Sequence, residues 1–189
     1  MIDSTPNNDA ILDAVRNWVT TVVVGLNLCP FAKRELVKNR IRFSITEAAN
    51  EAALLQALKE ELILLDEDAS IETTLLIHPH VLSSFRTYND FLPEADSLLQ
   101  LLDREGIYQI ASFHPDYRFG GTQPEDAENY TNRSPVQMLH ILREDSLEKA
   151  IDDHPDVGGI PERNIALMNE MGVERLQVLL ASLSPSAAK

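Results

Sequence analysis

Four short apolar runs set the terms for any fold of this chain: IRFSIT (41–46), TTLLIHP (73–79), IYQIASFHP (107–115) and VQMLHILR (136–143). Each is strand-length and rich in β-branched or alternating apolar residues. Helical periodicity fills the stretches between the first three. Glu47–Glu67 places Leu54, Leu55, Leu58, Leu62 and Leu65 on one side, and residues 83–104 repeat apolar positions from Phe85 to Leu102. Between the third and fourth runs there is no helical pattern. These two are therefore expected to pair antiparallel at one edge, in an otherwise helix-linked, partly parallel sheet.

Flanking helices complete this α/β reading. Ile11, Leu12, Val15, Trp18, Val19, Val22, Val23 and Leu26 recur at three- and four-residue steps, predicting an amphipathic helix from about Asn8 or Asp9 to Gly25. Pro30 suits the first turn of a short helix, PFAKRELVK. Thr46 is a candidate cap for the next helix, Pro93 should break or kink the one after it, and Asp145 or Ser146 should cap SLEKAI. PERNIALMNEM and VERLQVLLASL predict two closing helices. We expect one domain over residues 1–183 and a loose tail over 184–189.

Sixteen basic against thirty acidic residues leave a net charge of −14. That argues against nucleic acid or an anionic membrane surface as partner, since both need clustered Lys and Arg. No apolar run approaches the roughly 20 residues of a membrane span. The N-terminus lacks a signal-peptide pattern, and a single cysteine fits a reducing compartment. A cytoplasmic location is the expectation.

The chemistry-bearing residues gather at strand ends. His78 and His80 sit in HPH at the end of the second run, and His114 and Asp116 in HPD at the end of the third. In extended chain, residues two apart share a side. If the two strands were parallel neighbours, His78, His80 and His114 would converge at their C-terminal ends and could bind zinc, iron or manganese, with Asp116 as fourth ligand or general base. The bland alternative is that His-Pro merely closes a strand. His140 reads as a core histidine or a support for a ligand, and His154 as part of a solvated turn.

Cys29 precedes Pro30, where a helix N-terminus would favour the thiolate. CPFA resembles the CPxC of glutaredoxins, but without a second cysteine a two-thiol cycle is excluded. The stretch from Asp116 to Gln137 is long for a loop inside a compact domain, which marks it for function. Within it Asn129, Tyr130, Asn132 and Arg133 are candidate substrate contacts, Arg133 as a bidentate grip on an anion. Gly120 and Gly121 would admit close approach of a ligand to the backbone.

In order along the chain, GLNLCPFAKR, TTLLIHPHVL, YNDFL, ASFHPDYRF, ENYTNRSP, LHILRE and ERNI resemble a bacterial family catalogued only as a domain of unknown function, from about residue 10 to 171. The resemblance implies a small cytoplasmic protein. Its motifs include Cys29, His78, His80, His114, Asp116, Asn129, Tyr130, Asn132, Arg133 and His140, and leave out His154. Three expectations follow from the residues together: a metal-dependent enzyme for a small anionic molecule, a Cys29 thiol enzyme or redox sensor with His78 or His114 as base, or a non-catalytic protein that binds a ligand or a partner.

Overall fold

The computed structural model describes residues 7–153 and 158–185, so His154 and the last four residues of the expected tail lie outside the described part. In chain order the elements are α1 (Asn8–Trp18), a π-helical segment (Val19–Val24), α2 (Ala32–Val37), β1 (Ile41–Ile45), α3 (Glu51–Glu67), β2 (Thr73–Ile77), α4 (Phe85–Leu101), β3 (Tyr108–Phe113), a 3-10 turn (Ala127–Thr131), β4 (Met138–Arg143), α5 (Glu144–Asp152), α6 (Ile160–Met171) and α7 (Val173–Ser182). All four expected strands form, in the order β1-β2-β4-β3. β1 and β2 are parallel, and β4 is antiparallel to both β2 and β3. The expected antiparallel edge pair is present.

Strand periodicity sorts the sheet into two faces. Leu76, Leu139 and Ile141 turn toward α3 and α4, where they meet Leu54, Leu58, Tyr88, Phe91 and Leu99. Leu75, Ile77 and Met138 turn the other way, toward Trp18 of α1, Val22 of the π segment, Met168 of α6 and Leu176 of α7. Ile77, Met138 and Phe113 lie in one row across β2, β4 and β3.

Several local expectations needed correction. The helix after β1 starts later than Thr46: Asn50 is its cap, accepting from the Ala53 N–H at 2.9 Å, while Thr46 closes a small turn to Ala48. Asn accepts as well as Thr at this position, so the later start costs nothing. α5 begins directly at Glu144 with no side-chain cap, so Asp145 and Ser146 lie inside it. α4 continues through Pro93 as one helix, so the expected break does not form. Its buried line of Tyr88, Phe91, Ala95 and Leu99 holds both halves of the helix on the sheet, and this packing outweighs one lost hydrogen bond.

The first helix changes pitch. From Val19 to Val24 the bonds widen, with Gly25 N–H reaching the Thr20 carbonyl at 3.0 Å and Leu28 N–H the Val23 carbonyl at 2.9 Å. The sequence there is VTTVVV, a β-branched run that crowds an α-helical turn. Gly25 is required at its end, because an added Cβ would collide with the Thr21 carbonyl oxygen.

Trp18 fastens this helix to the sheet and the long loop. It is buried, packs edge-on against Phe113 with centroids 5.1 Å apart, and donates its indole N–H to the Arg133 carbonyl at 3.1 Å. Replacing Trp18 by Phe should lower unfolding free energy by about 1–3 kcal/mol through a lost hydrogen bond and lost volume. Urea denaturation measures this, and limited proteolysis should show faster cleavage within 116–137.

Candidate functional site

Two of the three expected metal residues, His78 and His114, lie on the α4 face of the sheet. β4 lies between β2 and β3, so the strands ending in His78 and His114 run parallel but are not neighbours. Tyr88 fills the space between the two imidazoles, with ring centroids 5.8 Å from His78 and 5.2 Å from His114. Its hydroxyl donates to the Met138 carbonyl at 2.8 Å and accepts the Phe113 N–H at 3.0 Å, which locks the ring.

Both histidines are fully buried. His114 uses both nitrogens: Nε2–H donates to the Leu82 carbonyl at 3.3 Å, and Nδ1 accepts the Asp116 N–H at 3.0 Å. A carbonyl can only accept, so His78 Nδ1 carries the proton it offers to Val81 at 3.1 Å. Its Nε2 then keeps a lone pair that is enclosed without a hydrogen-bond partner among the described residues.

His80 and Asp116 do not join them. Strand geometry stops at Ile77 and at Phe113. The chain turns at both places, so residues two apart no longer share a side. His80 emerges at the surface 3.5 Å from Glu47, and the Asp116 side chain is exposed. Among the described residues no three His, Cys, Asp or Glu side chains form a group able to hold a metal.

The polar loop braces itself. Asn129 is buried and makes three bonds: its Oδ1 accepts from Phe119 N–H at 3.0 Å and the Thr122 hydroxyl at 2.8 Å, and its amide donates to the Gln123 carbonyl at 2.7 Å. Arg133 lies over the Tyr130 ring, 4.4 Å from its centroid, and donates to the carbonyls of Tyr117 at 3.2 Å and Pro124 at 2.7 Å. Asn132 donates to the Ser112 carbonyl at 3.1 Å. These side chains shape the loop, and the Arg133 guanidinium is directed into it.

Open space lies on the opposite, α1 face. A first cavity of about 260 Å³ is bounded by Trp18, Val19, Phe31 and Phe113, with His140 and Thr73 in its wall. A second, of about 510 Å³, lies beneath the loop and α6, walled by Phe119, Ile160 and Ile165. Val23, Cys29 and Phe113 line both. Cys29 is a free, half-buried thiol at their junction.

His140 is the residue whose weight the strand pattern understated. It alternates with Leu139 and Ile141, so it faces the α1 side while they face α3 and α4. Thr73 Oγ1 donates to the Ile141 carbonyl at 2.6 Å and sits 2.7 Å from His140 Nε2. One hydroxyl proton cannot serve both, so His140 Nε2–H is the donor to Thr73. Nδ1 is left with its lone pair and no partner among the described residues. Burial pushes His140 down to about 4, so the ring is neutral at ordinary pH. Elsewhere in this wall Arg34, Glu35 and Glu72 are ion-paired, and Arg143 donates to the Leu65 and Ile71 carbonyls. Glu35 accepts from Arg34 at 2.5 Å and Arg40 at 2.7 Å, and Arg40 also pairs with Glu72. Burial works against the Glu35 carboxylate, but the two guanidiniums hold it below its usual range.

A mixed four-stranded sheet with helices on both faces, and with two adjoining cavities beside a thiol on the α1 face, defines an α/β protein. The chain belongs to the family described as protein of unknown function (DUF1415), which matches residues 10–178. No curated protein and no solved structure matches it.

The buried imidazoles make stability sensitive to acid. Burial holds His78 near 4, against 6.5 for a free ring, and lowers His114 as well. Between these values the unfolded chain binds more protons than the native one, so stability falls as pH drops from about 6.5 to about 4 and then levels. At pH 5 the cost is about 2 kcal/mol for His78 alone. Chemical denaturation at pH 7 and pH 5 should show a drop at least that large, and a His78→Gln variant should show a drop smaller by about that amount.

Proposed function

We propose that this protein acts on a small molecule held across the two cavities, through the thiol of Cys29, with His140 as the base in the adjoining wall. One observation carries the reading: Cys29 lines both cavities, and the first is also lined by an imidazole with a free lone pair. A nucleophilic sulfur must lose a proton to a group that can accept it. The tautomer of His140 is set by Thr73, which leaves Nδ1 as the acceptor. Burial holds the ring down to about 4, so the proton transfers only as the thiolate forming beside it offsets that burial by pairing with the imidazolium. The base expected from sequence, His78 or His114, lines neither cavity.

A metal-dependent reaction would require His114 to give up one of two hydrogen bonds and His80 to swing in from the surface. The thiol reading draws on groups that already line one cavity. A reducing, cytoplasmic setting would keep a lone thiol of this kind active. No helix among the described residues is long and apolar enough to cross a membrane.

Iodoacetamide labelling followed by mass spectrometry tests the assignment. Native protein should be alkylated at Cys29, and His140→Gln should slow that reaction by about tenfold or more, in line with what a positioned base contributes. Labelling only after unfolding would overturn it. So would zinc retained one per chain by untagged protein and lost in His78→Ala, which would favour the metal reading instead.

A further inference from the structure

The second cavity carries a charge preference of its own. Among the described residues Glu128 is the one charged side chain in its lining, and no Lys or Arg reaches it. The Glu128 carboxylate has no hydrogen bond or ion pair among the described residues; only its backbone carbonyl is engaged, by the Thr131 hydroxyl at 2.9 Å. Phe113 and Phe119 supply aromatic surface, and Leu28, Ile160, Pro161 and Ile165 supply aliphatic wall.

The neutral polar residues of the wall are committed elsewhere. Asn164 donates to the Leu28 carbonyl at 2.9 Å, Asn132 to the Ser112 carbonyl at 3.1 Å, and Thr122 to Phe119 or Asn129 at 2.9 and 2.8 Å. Arg133, the cation expected to grip an anion, is turned into the loop. An anionic group entering here would meet an uncompensated carboxylate and few free donors. A cationic group would meet that carboxylate and two aromatic rings, which is the environment that selects ammonium ions.

From this we infer that the second cavity takes the cationic end of an amine whose remaining body is apolar, with the apolar part extending past Cys29 toward the first cavity. The first cavity suits such a body, because its walls are mainly apolar, Arg34, Glu35 and Glu72 are ion-paired, and the Arg143 guanidinium donates to the Leu65 and Ile71 carbonyls. The inference rests on the reading that the cavities around Cys29 are the functional site, and it reverses the anionic substrate expected from sequence. The net charge of −14 acts in the same direction, raising the local concentration of cations.

Isothermal titration calorimetry of the full chain with three probes tests it: 2-phenylethylammonium, the uncharged 2-phenylethanol, and 3-phenylpropanoate. The expected order is ammonium tightest, by about five- to tenfold over the alcohol, with the carboxylate weakest. Glu128→Gln should erase the advantage of the ammonium and leave the alcohol unchanged, while Glu128→Asp should keep part of it. Equal affinity for all three probes, tightest binding of the carboxylate, or an ammonium preference that survives Glu128→Gln would overturn the inference and leave the role of Cys29 standing. If none of the three binds, the inference falls. An unreactive Cys29 in protein that still prefers the ammonium would sink the thiol reading alone.

Discussion

The insertion of β4 between β2 and β3 is the constraint on which the rest of the structure depends. β2 and β3 point the same way and are joined by α4, yet they are not neighbours. Here the chain leaves β3, crosses the end of the sheet in a long loop, and returns as β4 antiparallel to both. Two interstrand spacings, about 10 Å in all, then separate the ends of β2 and β3. On one face that gap is filled by the Tyr88 ring. On the other, Ile77, Met138 and Phe113 form a continuous row beneath Trp18, and the loop is carried to the place where it roofs the second cavity.

The two faces consequently do different work. Toward α3 and α4 the polar groups are enclosed and used to fix geometry, as with the Tyr88 hydroxyl that ties two strand ends together. Toward α1 the packing is incomplete. The widened turn of Val19–Val24, the short α2 and the loop bound space instead of filling it. The free thiol of Cys29 and the open nitrogen of His140 are both on that side.

Much of this was legible in the sequence. Strand-length apolar runs, helical periods and the missing helix between the third and fourth strands were enough for the mixed sheet and its antiparallel edge. Strand order was not legible, because nothing in YQIASF or MLHILR says which neighbour a strand will choose. The shared side expected for the His-Pro pairs does not form, for a definable reason. Alternation of sides holds only while the backbone stays extended, and both strands end one residue before their histidine. Cys29 stood out from the sequence, and the structure adds what surrounds it. The orientation of His140 was implicit in its alternation with Leu139 and Ile141, but which face held the open space depended on how α1, α2 and α5 pack. The loop residues were singled out for their hydrogen-bonding capacity, and that capacity is spent largely within the loop.

The π-helical segment has a consequence for how such a site can vary. A π turn holds one more residue than the α turn it replaces, so everything beyond it is rotated by roughly 100° relative to an unbroken helix. Cys29 reaches the cavities downstream of that offset, whereas Trp18 is anchored upstream of it. Deleting a single residue between Val19 and Val24 would leave the helix's grip on the sheet in place and turn a different set of side chains toward the cavities. A one-residue length change in an inconspicuous valine run is thus a means of re-facing the pocket without rebuilding the fold.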